Sequence, residues 1–256
     1  MNQQSRGPQV GIDRIIRLQW LEQTSLFAIA DNPRESIKER VEEFLSKTFP
    51  TSNPRLRGSL SKTATILLNV WAPRARELAG IRKLGLELIR NKNLEERMAV
   101  HWTMMNAVYP FWGAVAAQVG RLIRLQGVAV AEQVQRRIRE SHGERETVSR
   151  RVRYVLRSFI DWGVLTDLDM KGTYKQGLVV TISDPKLISL IVESSLIGRP
   201  NRSASLTELI SSAEFFPFRM KAITPEAIQS VSPRLEIHRN VMDGDLVILS
   251  GLPLKD

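Results

Sequence analysis

Residues 131–182 read AEQVQRRIRESHGERETVSRRVRYVLRSFIDWGVLTDLDMKGTYKQGLVVTI. Val134 and Ile138 recur at helical spacing, residues 141–143 interrupt the pattern, and a second helical pattern runs over 147–162. Two helices that are joined by a short turn and followed by a strand pair with a basic tip are typical of a winged helix-turn-helix, a module that most often binds DNA. The sequence therefore predicts this module, with 147–162 as its recognition helix.

On a helical wheel of this recognition helix, apolar and basic side chains fall on opposite faces. The apolar face holds Val148, Val152, Val155, Leu156 and Phe159, and the outward face holds Arg150, Arg153, Tyr154 and Arg157. A guanidinium can donate two parallel hydrogen bonds to guanine or clamp a phosphate, so an arginine face suits a major groove. The residues expected to contact DNA on this helix and at its start are Arg145, Thr147, Arg150, Arg151, Arg153, Tyr154 and Arg157.

The segment after the recognition helix predicts the wing. Gly163 suits a helix stop, 164–170 can run as a strand, and 177–182 returns as the second strand. The turn between these strands, Lys171-Gly172-Thr173-Tyr174-Lys175, is flexible and basic. We expect Lys171 and Lys175 to touch the DNA backbone, and the hydroxyl of Tyr174 at the wing tip suits a phosphate oxygen.

The charge balance favours a nucleic-acid partner. Residues 111–160 contain ten arginines against four glutamates, a net charge of +6, and the whole chain carries +10 with 37 Lys+Arg against 27 Asp+Glu. Such a surface attracts polyanions and speeds their encounter with the protein. Two other interpretations of the arginine face stay open, a solvated structural surface and a winged helix that docks a protein partner.

Upstream, residues 12–110 predict a helical bundle and not an α/β enzyme. Helices are expected over 12–30, from Pro33 through 36–49, and over 59–71, 74–90 and 94–108, with a junction between two buried helices at Tyr109-Pro110-Phe111. Residues 1–11 are polar and predict a disordered tail without a secretory signal. RNA binding through the bundle is a further alternative, motivated by Arg55, Arg57, Lys62, Arg74 and Arg76.

Downstream, the polar and basic connector 198–205 predicts a domain boundary. A helix is expected over 185–194, and the tail predicts a helix over 206–213, a strand over 215–220, a short helix after Pro225 and a hairpin of 234–241 with 246–250 around an Asp-Gly turn. The expected fold class is mainly α. It comprises a helical bundle over 12–110, a winged helix-turn-helix over 111–198 and a small α/β unit over 199–256.

Motifs for catalysis or metal binding do not emerge. The histidines His101, His142 and His238 lie far apart in sequence and lack an i, i+4 partner or a nearby carboxylate. The carboxylate pairs Asp167/Asp169 and Asp243/Asp245 flank turns, which favours solvated loop residues. The sequence has neither a phosphate-binding loop nor a nucleophile elbow. We therefore expect a non-enzymatic protein without a metal or cofactor.

Two further features concern the cell compartment and the core. The chain has no cysteine, which fits a reducing cytoplasm and rules out disulfides. Residues 98–120 are apolar and roughly long enough to span a bilayer, yet they include His101, Asn106, Pro110 and Gln118, so buried helices are favoured. The five tryptophans, Trp20, Trp71, Trp102, Trp112 and Trp162, have helical spacing that predicts core positions and not stacking platforms for bases.

Several motifs also carry a family resemblance. Glu95-Glu96 leads to His101-Trp102 and then to Tyr109-Pro110-Phe111, ERETVS at 144–149 precedes the arginine helix, and WGVL at 162–165 ends it. In this pattern residues 57–182 resemble the BrxA family, small accessory proteins of BREX phage-defence systems. The resemblance implies a helical N-terminal domain akin to that of an antitermination factor, a winged helix, double-stranded DNA binding without catalysis, and partners within an antiviral defence island. It does not cover the tail after 198.

Overall fold

A computed structural model describes residues 11–30, 33–49, 54–239 and 244–250, with backbone only for 54–57. The described chain is mainly helical with a few small sheets, which confirms the expected fold class at that level. It separates into two compact units. The first unit contains the described residues 11–15, 109–181 and 211–219, and the second unit contains the other described residues.

This division differs from the three consecutive domains that the sequence predicts. Residues 182–210, expected to belong to the winged module and the tail, lie in the second unit with the N-terminal helices. The tail beyond 199 does not form a unit of its own, because 211–219 joins the first unit and its remaining described residues join the second. The cause is long-range packing, which a connector's composition does not reveal.

The second unit begins with helices near the positions that the periodicity predicts, but the third begins five residues earlier and the fourth five residues later than expected. They are α1 Leu18–Ile29, α2 Arg34–Ser46, α3 Pro54–Trp71, α4 Ala79–Asn91 after a 3-10 turn at Arg76–Leu78, and α5 Leu94–Val108. The expected helix over 12–30 starts only at Leu18, so the apolar residues Ile12 and Ile16 are buried outside it. Pro73 keeps α3 and α4 apart, as the sequence indicates.

Two helices form the centre of the second unit. Residues 98–107 of α5 and residues 187–196 of α9 (Pro185–Ile197) are buried without interruption. Polar groups between these helices are paired: Asn106 Nδ2 donates to Ser194 Oγ at 3.3 Å, and Ser194 Oγ donates to the Thr103 carbonyl at 2.9 Å. The apolar character of this part of the chain reflects burial in protein. Of the helices described, none combines the length and the apolarity needed to cross a membrane.

In the first unit, three helices and three strands follow one another between residues 110 and 176. The elements are α6 Pro110–Gln126, β1 Val128–Val130, α7 Ala131–His142, α8 Glu146–Asp161, β2 Leu165–Asp167 and β3 Thr173–Gln176. The strands form an antiparallel sheet in the order β1-β3-β2. Gly143 with φ 94° ends α7, and Gly163 with φ 72° follows the end of α8. Glycine suits both positions because positive φ is costly for other residues.

The strand that the sequence predicts as the second strand of a wing lies elsewhere in the structure. The partner of β2 is Thr173–Gln176, whereas the expected strand 177–182 leaves this sheet. Gly177 instead approaches the end of α8 so closely that a Cβ there would overlap the Gly163 carbonyl oxygen, and its N–H donates to the Val164 carbonyl at 2.9 Å. The following strand β4, Val180–Ile182, pairs with β6, Phe218–Met220.

The tail contains the expected elements with shifted bounds, together with a strand in the segment predicted to be a connector. They are β5 Ser203–Ser205, α10 Leu206–Ile210, a 3-10 turn at Ala213–Phe215, α11 Pro225–Val231, β7 Leu235–His238 and β8 Leu246–Leu249. The predicted hairpin is present, with Leu235 opposite Leu249, and β8 lies between β5 and β7. Of the residues expected at its turn, Met242 and Asp243 lie outside the described residues.

All five tryptophans are buried, as their spacing predicts. In the first unit the Trp112 ring packs edge-on against Phe159 with centroids 4.8 Å apart and lies 5.0 Å from Trp162. This aromatic cluster fastens α6 to the inner face of α8. This packing determines which face of α8 is exposed to solvent.

Candidate nucleic-acid interface

Helix α8 presents its arginines to solvent because its other face is fully used in the core. The predicted apolar residues are all buried: Val148, Val152, Val155, Leu156 and Phe159. Arg150, Arg153 and Arg157 are exposed. Spacings of three and four residues align these three on one stripe about 10 Å long, the length of about three base steps of B-DNA.

Two arginines of the stripe have acidic neighbours. Arg153 Nη2 lies 3.4 Å from Glu146 Oε1, and Arg157 Nη1 lies 3.3 Å from Asp167 Oδ2. Both guanidinium side chains are more than half exposed, at 58% and 56%, so each pair contributes at most about 1 kcal/mol. Arg150 has no side-chain partner among the described residues. All three guanidiniums can thus turn toward an anion at low cost.

Other predicted residues flank the stripe. Arg145 and Thr147 are exposed at the start of α8, and Arg151 and Tyr154 are partly buried on its sides. Glu146 occupies the first turn of the helix, where its charge is favourable to the helix dipole. The predicted contact residues of α8 therefore lie on one continuous surface of the first unit.

The turn predicted as the wing tip has the expected length but lies three residues earlier in the chain. Residues 168–172 connect β2 to β3, and Thr173 N donates to the Met170 carbonyl at 3.0 Å across the turn. Gly172 has φ 78°, and its carbonyl accepts a hydrogen bond of 2.8 Å from Ala131 N, which ties the turn to the start of α7. Lys171 is exposed in the turn, but Lys175 is exposed on strand β3 and not in the turn as expected.

Tyr174, like Lys175, was wrongly placed in the turn by the sequence prediction. It lies on the central strand β3, opposite Ala129 on one side and Asp167 on the other, and is only 7% exposed. Burial raises the pKa of its hydroxyl, the Asp167 carboxylate raises it further, and the Arg157 guanidinium acts in the opposite direction. Tyr174 therefore belongs to the sheet, and its hydroxyl does not lie at the tip of the turn as predicted.

One arginine of α7 has a structural role that sequence reasoning missed. Arg139 Nη1 donates to Ser149 Oγ at 3.1 Å, and its Nε lies 3.0 Å from Glu144 Oε2. These contacts connect α7, the turn and α8, so Arg139 holds the two helices in register. Arg136 on the same helix is exposed and adds positive charge to this unit. In the sequence analysis, Arg139 and Arg136 contributed only to the net charge of the segment.

The second unit contains a histidine site that the sequence did not indicate. His101 was expected to lack a carboxylate partner, but its Nε2 lies 2.8 Å from Glu22 Oε2. Burial lowers the pKa of His101, and the hydrogen bond from His101 is the main cause that lowers the pKa of Glu22. Arg97 also pairs with Glu22. Since the His101 ring is fully buried and packs edge-on against Trp71 at 5.2 Å, this cluster is positioned for the core and not for a ligand.

Among the residues that the structure describes, the predicted carboxylate pairs do not form a recognisable centre. Asp167 pairs with Arg157, Asp169 is exposed, and Asp243 lies outside the described residues. Within the described parts of the chain, no group of three or more His, Cys, Asp or Glu side chains is placed to hold a metal ion. Comparisons with protein-family models, curated proteins and solved structures return no match for this chain.

Proposed function

We propose that the first unit is a winged helix-turn-helix that binds double-stranded DNA. Support comes from its element order, in which α6, β1, α7, α8, β2 and β3 follow one another and the strands pair as β1-β3-β2. A three-residue turn joins α7 to α8, which is the length typical of this motif. In this proposal α8 is the recognition helix and the β2–β3 turn is the wing.

The observation that carries the proposal is the exposed stripe of Arg150, Arg153 and Arg157. A recognition helix enters the major groove with one face, and three guanidiniums on that face can donate to guanine edges or to phosphates. The stripe spans about three base steps, which is a usual reach for a single helix in the groove. Lys171 in the wing turn then meets the adjacent backbone.

Binding exchanges weak internal ion pairs for stronger contacts with DNA. Arg153 and Arg157 release Glu146 and Asp167, both on the surface, and gain charge-assisted hydrogen bonds to phosphate or guanine. Each counterion displaced from DNA adds to the affinity at low salt. The carboxylates of Glu146 and Asp167 repel nearby phosphates, and this repulsion weakens non-specific binding to DNA.

The test is fluorescence anisotropy of labelled duplex DNA over a salt series, with the variant R150A/R153A/R157A. We expect tight binding by the wild type at low salt and much weaker binding by the variant, whose slope of log K against log salt falls by up to about 2.7 if all three arginines neutralise phosphates. The control K47A/K83A/K221A removes the same charge from exposed lysines of the second unit and should bind as the wild type does.

Two results would contradict the proposal. Equal loss of affinity in both triple variants would mean that net charge and not the α8 stripe attracts DNA. The second result is a wild-type protein that fails to bind duplex DNA at low salt, or that releases it completely when structured RNA is added. Either outcome would mean that duplex DNA is not the ligand. Single variants R153A and R157A then distinguish base contacts, worth about 1–3 kcal/mol each, from weaker phosphate contacts.

The resemblance to BREX accessory proteins supports a cellular setting for this activity. We infer a non-enzymatic, cytoplasmic role in phage defence, in which DNA binding by α8 serves a defence island. Phage plating on cells that carry the island with the wild-type chain or with R150A/R153A/R157A tests this role. If both proteins protect the cells from phage equally, DNA binding by the α8 arginines is not needed for defence.

A further inference from the structure

The second unit contains a basic pocket that the proposed DNA interface does not use. The pocket has a volume of about 280 Å³ and lies among the start of α2, the end of α3 and the start of α4. Four arginines line it, Arg34, Arg74, Arg76 and Arg82, and the remaining lining residues are alanine, proline and isoleucine. We propose that this arginine pocket binds the phosphate groups of a nucleotide or of a nucleic-acid strand.

Two of the guanidiniums are held rigidly at the end of α3. Arg34 donates from Nη1 to the carbonyls of Leu68, at 3.1 Å, and of Ala72. Arg82 Nε donates to the Trp71 carbonyl at 2.7 Å. The last carbonyls of a helix lack partners within it, so these contacts also stabilise α3. Side chains fixed in this way lose little further entropy when a ligand binds.

The other two arginines have no such structural role. Arg74 and Arg76 are exposed on the segment between α3 and α4, and neither has a partner among the described residues. Two exposed arginines beside two anchored ones concentrate positive charge in a small space. Four like charges around one pocket create a positive potential that attracts an anion.

No acidic side chain of the described residues neutralises the pocket from within its lining. The acidic neighbour in sequence, Glu77, lies 3.5 Å from Arg202. Ala79, the first residue of α4, also lines the pocket, so the positive end of the α4 dipole adds to the attraction for anions. Guanidinium forks match phosphate geometry better than a single ammonium does, which favours phosphate as the ligand group.

The experiment is isothermal titration of the full chain with pyrophosphate at constant ionic strength. We expect saturable binding by the wild type and about tenfold or greater loss of affinity in R74A/R76A, which leaves the contacts of Arg34 and Arg82 with α3 intact. The control K83A/K221A removes two exposed lysines of the same unit and should bind as the wild type does. Thermal unfolding of each variant checks that it is folded.

The results also separate this pocket from the α8 interface. Pyrophosphate binding should persist in R150A/R153A/R157A, so a failure of one proposal does not decide the other. Competition by single-stranded oligonucleotide would identify a nucleic-acid strand as the source of the phosphate, and competition by ATP alone would identify a nucleotide. Absence of pyrophosphate binding, or equal affinity in the wild type and R74A/R76A, would overturn the proposal.

Discussion

Replacing Arg234 by methionine should destabilise the second unit in a pH-dependent manner. Glu193 on α9 is 2% exposed, and its Oε2 lies 3.0 Å from Arg234 Nη1, whose side chain is 16% exposed. Ser232 Oγ donates to the other carboxylate oxygen at 2.7 Å. Methionine keeps most of the side-chain volume but leaves the Glu193 carboxylate buried with the hydroxyl of Ser232 as its remaining partner in this cluster.

The magnitude follows from the burial of this pair. Removal of one partner of a buried ion pair costs about 3–5 kcal/mol, and the partial exposure of Arg234 places the expected loss near the lower limit. Burial already raises the pKa of Glu193, against the lowering effects of Arg234 and Ser232. Loss of the guanidinium raises this pKa further. A carboxyl whose pKa is raised by folding favours the folded state at low pH and loses that contribution as pH increases through the folded pKa.

The assay is urea unfolding of the wild type and R234M at pH 5 and pH 8. The deficit of R234M should be about 3 kcal/mol at pH 8 and smaller at pH 5, because the raised pKa of Glu193 favours the neutral carboxyl as pH falls. The double variant E193Q/R234M removes both charges and should recover much of the loss at pH 8. A deficit that is the same at both pH values, or a double variant no more stable than R234M, would refute this account of the pair.

Three other substitutions have definite expected outcomes. Gly120→Ala should destabilise the first unit by about 1–2 kcal/mol in thermal unfolding, because a Cβ would overlap the Ala213 carbonyl oxygen and this outweighs the helix propensity gained. His101→Gln should flatten the dependence of stability on pH between about 7 and 5, because the lowered pKa of buried His101 makes the wild type lose stability as pH falls below the unfolded value near 6.5. Asp167→Asn should tighten DNA binding by about twofold to fivefold in anisotropy titrations, because Arg157 no longer exchanges an internal partner for DNA.

Matched variants check these effects. Gly58→Ala, in α3 with open space around its Cβ position, should be neutral or stabilising, so a loss equal to that of Gly120→Ala would contradict the steric cause. Asp169→Asn removes an exposed charge that has no partner among the described residues, and it should change DNA affinity less than Asp167→Asn does. If the stability of His101→Gln still depends steeply on pH, groups other than His101 cause that dependence.

The sequence predicted features that depend on neighbours along the chain. The bounds of α7 and α8 follow from apolar spacing and from glycines with positive φ, so the opposed faces of α8 were predicted correctly. The junction at Tyr109 was predicted for the same reason, since Pro110 begins α6. Local periodicity and turn chemistry are sufficient for such elements.

Features that depend on distant residues were not predicted. Strand β4 lies outside the sheet β1-β3-β2, because it pairs with β6, nearly forty residues later in the chain. The partner of His101 is Glu22, 79 residues earlier, and no local pattern connects them. Tyr174 was assigned to the tip because the turn was placed a few residues too late, and a shift of this size moves a side chain from an exposed turn into a strand.

The burial of α5 by α9 has a consequence during synthesis. A ribosome releases α5 well before α9, which begins at Pro185, and the ten consecutive buried residues of α5 have no α9 to cover them in that interval. Exposed apolar surface of this kind is what chaperones bind and what drives aggregation of incomplete chains. Chains truncated before Pro185 should therefore accumulate as chaperone clients or inclusion bodies, and the second unit matures only after the first unit's main segment has been made.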